Sequence, residues 1–303
     1  MDVSAAILLV AATVAFAAPL IFAALGELIS EKTGVLNIEL DGMMLAGAFC
    51  GVWAALGSGS LIVGFIGAAA GGILVALTHG LLCFVFRAEQ VVSGVVLNIF
   101  VLGLTTFGIG PVFGANLGRA APTLQPISIP FLSDLPIVGR ALFAQTPTVY
   151  LAFLLVPATW WLINRTTLGL ALQAVGEAPA AGLSMGINVR RLRWIALIAC
   201  GALAGIGGSQ LTLAGLGTFT QNVTAGRGFI ALAAVIFGSW RPFGTLLAVL
   251  LFTLVEAIQV RAQALGIHLP YQFLVMAPYA VTVLALAVFA GRSRPPRALG
   301  IND

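Results

Sequence analysis

Charged residues are sparse along this chain, and the runs between them set its architecture. Uncharged, mainly apolar stretches extend over Val3–Gly26, Gly42–Phe86, Gln90–Gly118, Ala141–Asn164, Trp194–Gly226 and Ala262–Gly291. A bilayer crossing takes about 20 apolar residues, so most of these runs hold one helix each. The run Gly42–Phe86 is long enough for two, divided at the turn-rich Gly57-Ser58-Gly59-Ser60. Between Arg227 and Arg261, a short apolar piece, Phe229–Gly238, is separated from a longer one, Phe243–Val255, by Arg241-Pro242. The expected fold class is all-α: one polytopic transmembrane bundle over residues 1–303, with about nine spans and a range of roughly eight to ten.

Composition supports that class. Apolar residues make up 60% of the chain and charged residues 8%, against about 25% charged in an ordinary soluble domain. Mean hydropathy is +1.09. The net charge of +4 does not point to nucleic acid, because the arginines are scattered and no aromatic-studded basic stripe accompanies them. Membrane lipid is the expected surrounding. Cys50, Cys83 and Cys200 fit neither a disulfide framework nor a zinc site and read as small packing residues, so no metal site is expected.

The basic residues report orientation instead. With the N-terminus outside, Lys32, Arg87, Arg165, Arg190, Arg191, Arg193, Arg241, Arg292, Arg294 and Arg297 fall inside, while Arg119, Arg140, Arg227 and Arg261 fall outside. Positively charged loops are retained in the cytoplasm, so this bias predicts an extracytoplasmic N-terminus and a cytoplasmic C-terminus. Only Asp2 separates the start Met from Val3–Leu25, which reads as a retained span and not a cleaved signal. Pro122, Pro126, Pro130 and Pro136 predict an extended external loop over Ala120–Gly139.

Two polar interruptions bounded by glycine stand out, Gly34–Gly42 and Gly215–Gly228. Non-helical backbone at membrane depth must be buried in protein or line water, so paired broken helices bracket a solute path and suggest an internal repeat; two ordinary interfacial loops are the other reading. The cytoplasmic loop over residues 165–194 holds no catalytic cluster. Pro179 suits the first turn of a short helix and Gly186 its exit, giving either a docking helix or one lying on the membrane surface. The pairs Gly47/Gly51, Gly67/Gly71, Gly110/Gly114 and Gly201/Gly205 offer small faces for close helix packing, within the bundle or at a subunit interface.

Five segments together resemble one family: Glu27–Phe49, Gln90–Gly94 with Leu97-Asn98, Val175–Val189, Gly226–Ala234 and Glu256–Gln259. The chain is similar to inner-membrane permeases of bacterial ABC importers for nucleosides and simple sugars, relatives of the branched-chain amino-acid permeases, and most to the purine-nucleoside type. The resemblance implies that Glu177, Ala180, Ala181, Gly182, Leu183 and Gly186 belong to a coupling helix that docks on a separate ATPase. It further implies a second, homologous permease subunit and an extracytoplasmic substrate-binding protein. No cofactor is expected in this chain, with ATP and Mg held by the partner ATPase; the sole lysine, Lys32, is not preceded by glycine and no phosphate-binding loop is present. Relatives usually read Asn-Ile-Gly and then Glu-Gly in the first break, whereas Asn37-Ile38-Glu39 and Asp41-Gly42 stand here. The extra acid puts the packing and local charge of that break in question.

Candidate path residues are the polar and aromatic groups that hydrocarbon tolerates least or that suit a flat solute: Asn37, Asn98, Gln210, Phe219, Asn222, Phe229, Glu256 and Gln259. Asn98 and Gln210 equally suit bonds to neighbouring helices, Glu256 an ion pair with Arg261, and the two phenylalanines core or lipid packing. Two other functional classes remain: a secondary transporter or channel, which fits broken apolar helices as well, and an intramembrane hydrolase built from Ser93 with His79 or His268, which no flanking motif supports.

Overall fold

A computed structural model describes residues 3–114, 120–128, 139–215, 217–264, 276, 280, 283 and 294–301. The elements are α1 (Val3–Glu31), α2 (Leu40–Ser58), α3 (Leu61–Gly80), α4 (Gln90–Gly108), β1 (Ile127–Ser128), α5 (Gly139–Phe143), β2 (Ala144–Gln145), α6 (Pro147–Arg165), α7 (Thr167–Glu177), α8 (Pro179–Ser184), α9 (Val189–Leu213), α10 (Arg227–Phe237) and α11 (Pro242–Ala264). π-helical turns extend α3 over Leu81–Val85 and α4 over Ile109–Phe113. Among the described residues seven helices are long and apolar enough to cross a membrane, so the polytopic all-α class holds. Most of the last expected span, Ala262–Gly291, lies outside the described residues, as do His268 and Arg119.

Two departures from the sequence reading matter. The first helix does not stop at its first acid: α1 continues through Glu27 to Glu31. Those carboxyl groups are fully buried in protein and never meet lipid. The second departure is α10, whose 11 residues span about 16 Å, half a bilayer. It cannot cross alone. The indole N–H of Trp240, just beyond α10, donates to Glu31 Oε2, and the Arg193 side chain near the start of α9 reaches the Thr33 carbonyl. The end of α10, the end of α1 and the start of α9 therefore share one end of the bundle, and α10 is preceded by the non-helical residues 217–226.

Gly47, Gly72, Gly201 and Gly205 explain how α2, α3 and α9 form the densest part of the bundle. A Cβ on Gly205 would lie 2.2 Å from the Ala68 carbonyl oxygen, and one on Gly72 would lie 2.0 Å from that of Gly201. Backbone packs directly on backbone, and van der Waals contact replaces a hydrophobic drive that lipid would not supply. Among the described residues Gly110 and Gly114 meet nothing within 4 Å, so that pair makes no helix contact there. α1 and α9 lie side by side through the core, with Phe22, Leu25, Leu28, Leu197 and Cys200 buried between them and their neighbours. The outer faces carry Leu74, Phe107, Leu154 and Leu247 exposed, as lipid contact requires. In the connection between α4 and α6, β1 and β2 pair antiparallel, Ile127 opposite Gln145. Pro122 and Pro126 run extended there, while Pro130 and Pro136 lie outside the described residues.

Candidate solute path and coupling surface

The two polar interruptions meet. Asp41, on the second residue of α2, places Oδ1 2.9 Å from the Gly228 N–H and Oδ2 3.0 Å from the Thr224 hydroxyl. It thereby caps the amino end of α10 from a distance of 187 residues along the chain. The amino end of α2 is capped in the same borrowed manner: Asn98 on α4 accepts from the Gly42 N–H at 2.7 Å and donates to the Ile38 carbonyl at 2.7 Å. Glycine is required at the crossing, since a Cβ on Gly228 would lie 2.3 Å from the Asp41 nitrogen. Beside this junction is a cavity of about 310 Å3, lined by Asp41, Gly42, Asn98, Asn222, Gly226 and Phe229 among others. Three residues singled out from the sequence, Asn98, Asn222 and Phe229, share it. Asn222 and Phe229 are exposed, whereas both functions of the Asn98 amide are committed to backbone.

Asn37 occupies a different place from the one expected. It is fully buried and lines none of the described cavities near it. Its backbone N–H and side-chain amide both donate to Glu27, at 3.1 and 3.0 Å, and the amide also reaches the Ser30 hydroxyl at 2.8 Å. The Cys200 thiol approaches Glu27 Oε2 at 3.5 Å. Asn37 is thus a bracing group for the first break, and Cys200 is more than a filler. Glu39 answers the question raised by its sequence: its Oε2 lies 3.2 Å from His79 Nδ1, and a Cβ on Gly94 would approach that oxygen to 2.9 Å. Gly94 makes the room and His79 supplies the polar neighbour. The role of His79, Glu27 and Glu31 in this buried network was missed by the sequence reading, although acids at a 4-residue spacing before a glycine break were the available signal.

Glu256 pairs with Arg227, not with the expected Arg261. Arg261 follows on the same helix, but Arg227 projects across from the start of α10. Arg227 is partly buried in this pair. Gln210 lies on α9 with a second cavity of about 370 Å3, which Arg227, Gln145 and Phe16 also line. Its side chain is buried and the Nε2 has no partner among the described residues. Phe219 packs edge-on against Phe49 at 5.2 Å and stacks on Phe113 at 5.9 Å, so its ring belongs to an aromatic cluster. Gln259 is half-buried and joins neither cavity. His79 and Ser93 are both buried.

On the end where α1 finishes, α7, α8 and the start of α9 form a compact projection. Thr166 caps α7 by accepting from the Gly169 N–H at 3.0 Å, and Asn188 caps α9 by accepting from the Arg191 N–H at 2.9 Å. Pro179 opens α8 and Gly186, at φ 80°, turns the chain out of it. Glu177, Ala180, Ala181, Leu183 and Gly186 are exposed, and Met185 is 81% exposed. Gly182 instead turns inward, so it supports the helix from below and contributes no outer face. Lys32 lies close by; burial lowers its pKa, the Glu177 charge opposes that and Arg241 adds to it.

Residues 9–291 match the family of permease components of branched-chain amino acid transport systems. The chain belongs to that family. It is 37% identical to the guanosine ABC transporter permease protein NupQ of Bacillus subtilis, over 97% of this chain and 95% of the relative. Identity to the nucleoside ABC transporter permease protein NupC of Lactococcus lactis is 35%, over 97% and 96%. A putative glucose ABC transporter permease protein, TsgC13 of Haloferax volcanii, is 43% identical over 85% of this chain and 78% of its own length. No solved structure matches the chain. This permease is thus a multi-pass membrane transport subunit, and the matched range contains all five segments that carried the sequence resemblance, at residues 27–49, 90–98, 175–189, 226–234 and 256–259.

Proposed function

We propose that this permease forms the membrane path of an ATP-driven importer for nucleosides. The observation that carries the reading is the junction of the two breaks at Asp41 and Gly228, beside a cavity that brings together Asn98, Asn222 and Phe229. Half-helix ends meeting within a bundle are where transporters hold solute, because only there is irregular backbone both stable and accessible. Asp41 already answers the positive amino end of α10, so the junction suits an uncharged solute. Phe229 offers a flat face for a base, and Asn222 an amide for its polar edge. Gln210 and Arg227 would line the approach through the second cavity, with Glu256 paired to Arg227; Asn37 holds the first break in shape behind it.

The nucleoside assignment draws on two relatives so named across nearly their full lengths. The relative named for glucose supports a second reading, a simple sugar. Around the path we place an ATPase docked on α8 that carries ATP and Mg, a substrate-binding protein on the opposite face and a second permease subunit. The N-terminus is extracytoplasmic and the C-terminus cytoplasmic, in the bacterial inner membrane. The test is reconstitution of the whole complex with its binding protein, measuring ATP hydrolysis against guanosine, uridine, ribose and glucose. Stimulation by either nucleoside at lower concentration than by the sugars is the expected result. Stimulation by glucose alone would move the assignment to sugars, and uptake driven by an ion gradient without ATP would move it to a secondary transporter.

A further inference from the structure

The described C-terminal segment, residues 294–301, sits against the bundle between two regions that the chain otherwise connects only at long range. The Ala298 N–H donates to the Gly176 carbonyl at 2.9 Å, and the Gly300 N–H donates to the Gly34 carbonyl at 3.0 Å. Gly176 is the next-to-last residue of α7, immediately before α8; Gly34 opens the first break. Pro296 and Ala298 are buried in this contact, and Leu299 packs on the edge of the core. Fit at the seam is close on all sides. A Cβ on Gly34 would lie 2.8 Å from the Ala298 carbonyl oxygen, and one on Gly176 would lie 2.2 Å from that of Lys32. Gly34 has φ 85°, so glycine is favoured there for conformation as well as for space.

Three backbones therefore meet: the exit of α1, the end of α7 and the tail. Two further turn bonds, Leu299 N–H to Pro296 and Ile301 N–H to Ala298, give the tail a fixed shape of its own. A segment bonded on both sides to different elements makes their relative position depend on it. On the reading that α8 docks on the ATPase, we infer that residues 296–300 act as a clasp that holds the base of the docking segment to the first break, so that displacement of α8 is passed to Asn37, Glu39 and Asp41. Ala298 and Gly300 are positioning residues in this sense: they touch neither solute nor nucleotide, and they act through the backbone of Gly176 and Gly34. The clasp adds two hydrogen bonds to the direct packing of Gly176 on Lys32, and without it displacement of α8 reaches the break through that packing alone.

Two variants test this in the reconstituted complex: a chain ending after Arg294, and full-length Ala298→Trp, whose side chain cannot occupy a buried position and so lifts the tail while preserving length. A photocrosslinker at Ala181 reports ATPase docking in each, alongside basal ATP hydrolysis, solute-stimulated hydrolysis and uptake. The expected pattern is an unchanged crosslink and basal hydrolysis, with uptake and solute stimulation reduced at least about fivefold, the low end of ordinary coupling between sites. A peptide of residues 295–303 added to the truncated complex should restore part of the uptake. Normal uptake in both variants would overturn the clasp while leaving the docking reading intact. Loss of the crosslink together with uptake would also overturn it, because the tail would then belong to the docking surface. Failure of the full-length chain to crosslink would remove the docking reading and the clasp's role with it.

Discussion

The two breaks are alike in sequence and opposite in physical character. In the first, residues 32–39, five of the eight residues are buried and the others half-buried: Asn37 and Glu39 are fully buried, Leu36 N–H donates to Gln90 at 2.8 Å, and Glu27 accepts from Asn37 twice. In the second, residues 214–226, Gln221, Asn222 and Ala225 are exposed, and the chain passes through left-handed conformations at Gly217, Asn222, Ala225 and Gly226. Strain of this kind persists where surrounding structure holds it, and it gathers at sites that move or bind. The first break is closed and braced; the second is open and strained, which under the proposed function makes it the part that changes shape around a solute, and Asp41 joins the two.

Substitutions can break that contrast, beginning with the first break. Glu27→Ala removes the acceptor of the Asn37 backbone N–H and of one side-chain N–H in a dry setting, and should lower stability by about 2–4 kcal/mol; Asn37→Ala removes only the side-chain donor to Glu27 and keeps the backbone one, and should cost about 1–3 kcal/mol. Thermal unfolding in detergent and the amount of inserted protein measure it. An Asn37→Ala protein as stable as its parent yet unable to transport would make the first break part of the path. Asp41→Ala comes next, removing the acceptor for both Gly228 and Thr224. Loss of such a cap costs about 1–2 kcal/mol. Uptake should fall roughly tenfold, since freeing α10 at the junction disturbs the cavity by an amount comparable to that energy. Asp41→Asn should retain part of the uptake by keeping one acceptor.

The remaining predictions concern the second break. Asn222→Ala should lower stability by up to about 1 kcal/mol, because at φ 53° it loses the local preference of the short polar Asn side chain for the left-handed region, while reducing uptake more than that change explains. Asn222→Gly separates conformation from chemistry: uptake recovered by glycine assigns the effect to the backbone, and uptake lost in both assigns it to the amide. Phe229→Leu is the mildest, with stability within about 0.5 kcal/mol for an exposed position and a few-fold rise in the nucleoside concentration giving half-maximal uptake. An equal rise for ribose would show that the ring is not recognising a base.

Much of the frame was legible because lipid imposes a simple rule. Uncharged runs gave the long helices, Gly57-Ser58-Gly59-Ser60 divided α2 from α3, and Pro179 with Gly186 bounded α8. The pairing of the breaks was also readable from their glycines and polar residues. What escaped was whatever depended on a partner far along the chain. Glu27 and Glu31 looked like the end of a span because the sequence does not display Asn37, Cys200 or Trp240 beside them. Glu256 looked closer to Arg261 because three-dimensional proximity to Arg227 requires the α10–α11 packing. The glycine spacing at 110 and 114 was equal to that at 201 and 205, yet only the latter faces another backbone.

The seam among α2, α3 and α9 limits what this permease can do mechanically. Interlocked side chains can switch between discrete arrangements, as when one ridge steps over the next. Where Gly72 rests on Gly201 and Gly205 on Ala68, no side chain is present at the contact to make such a step. The three helices therefore form a stator, carrying load without a second setting of their own. Any alternation of access falls to parts seated around them, α4 with its exposed flank and α10 with its strained approach, so that the machine's stroke is confined to its periphery.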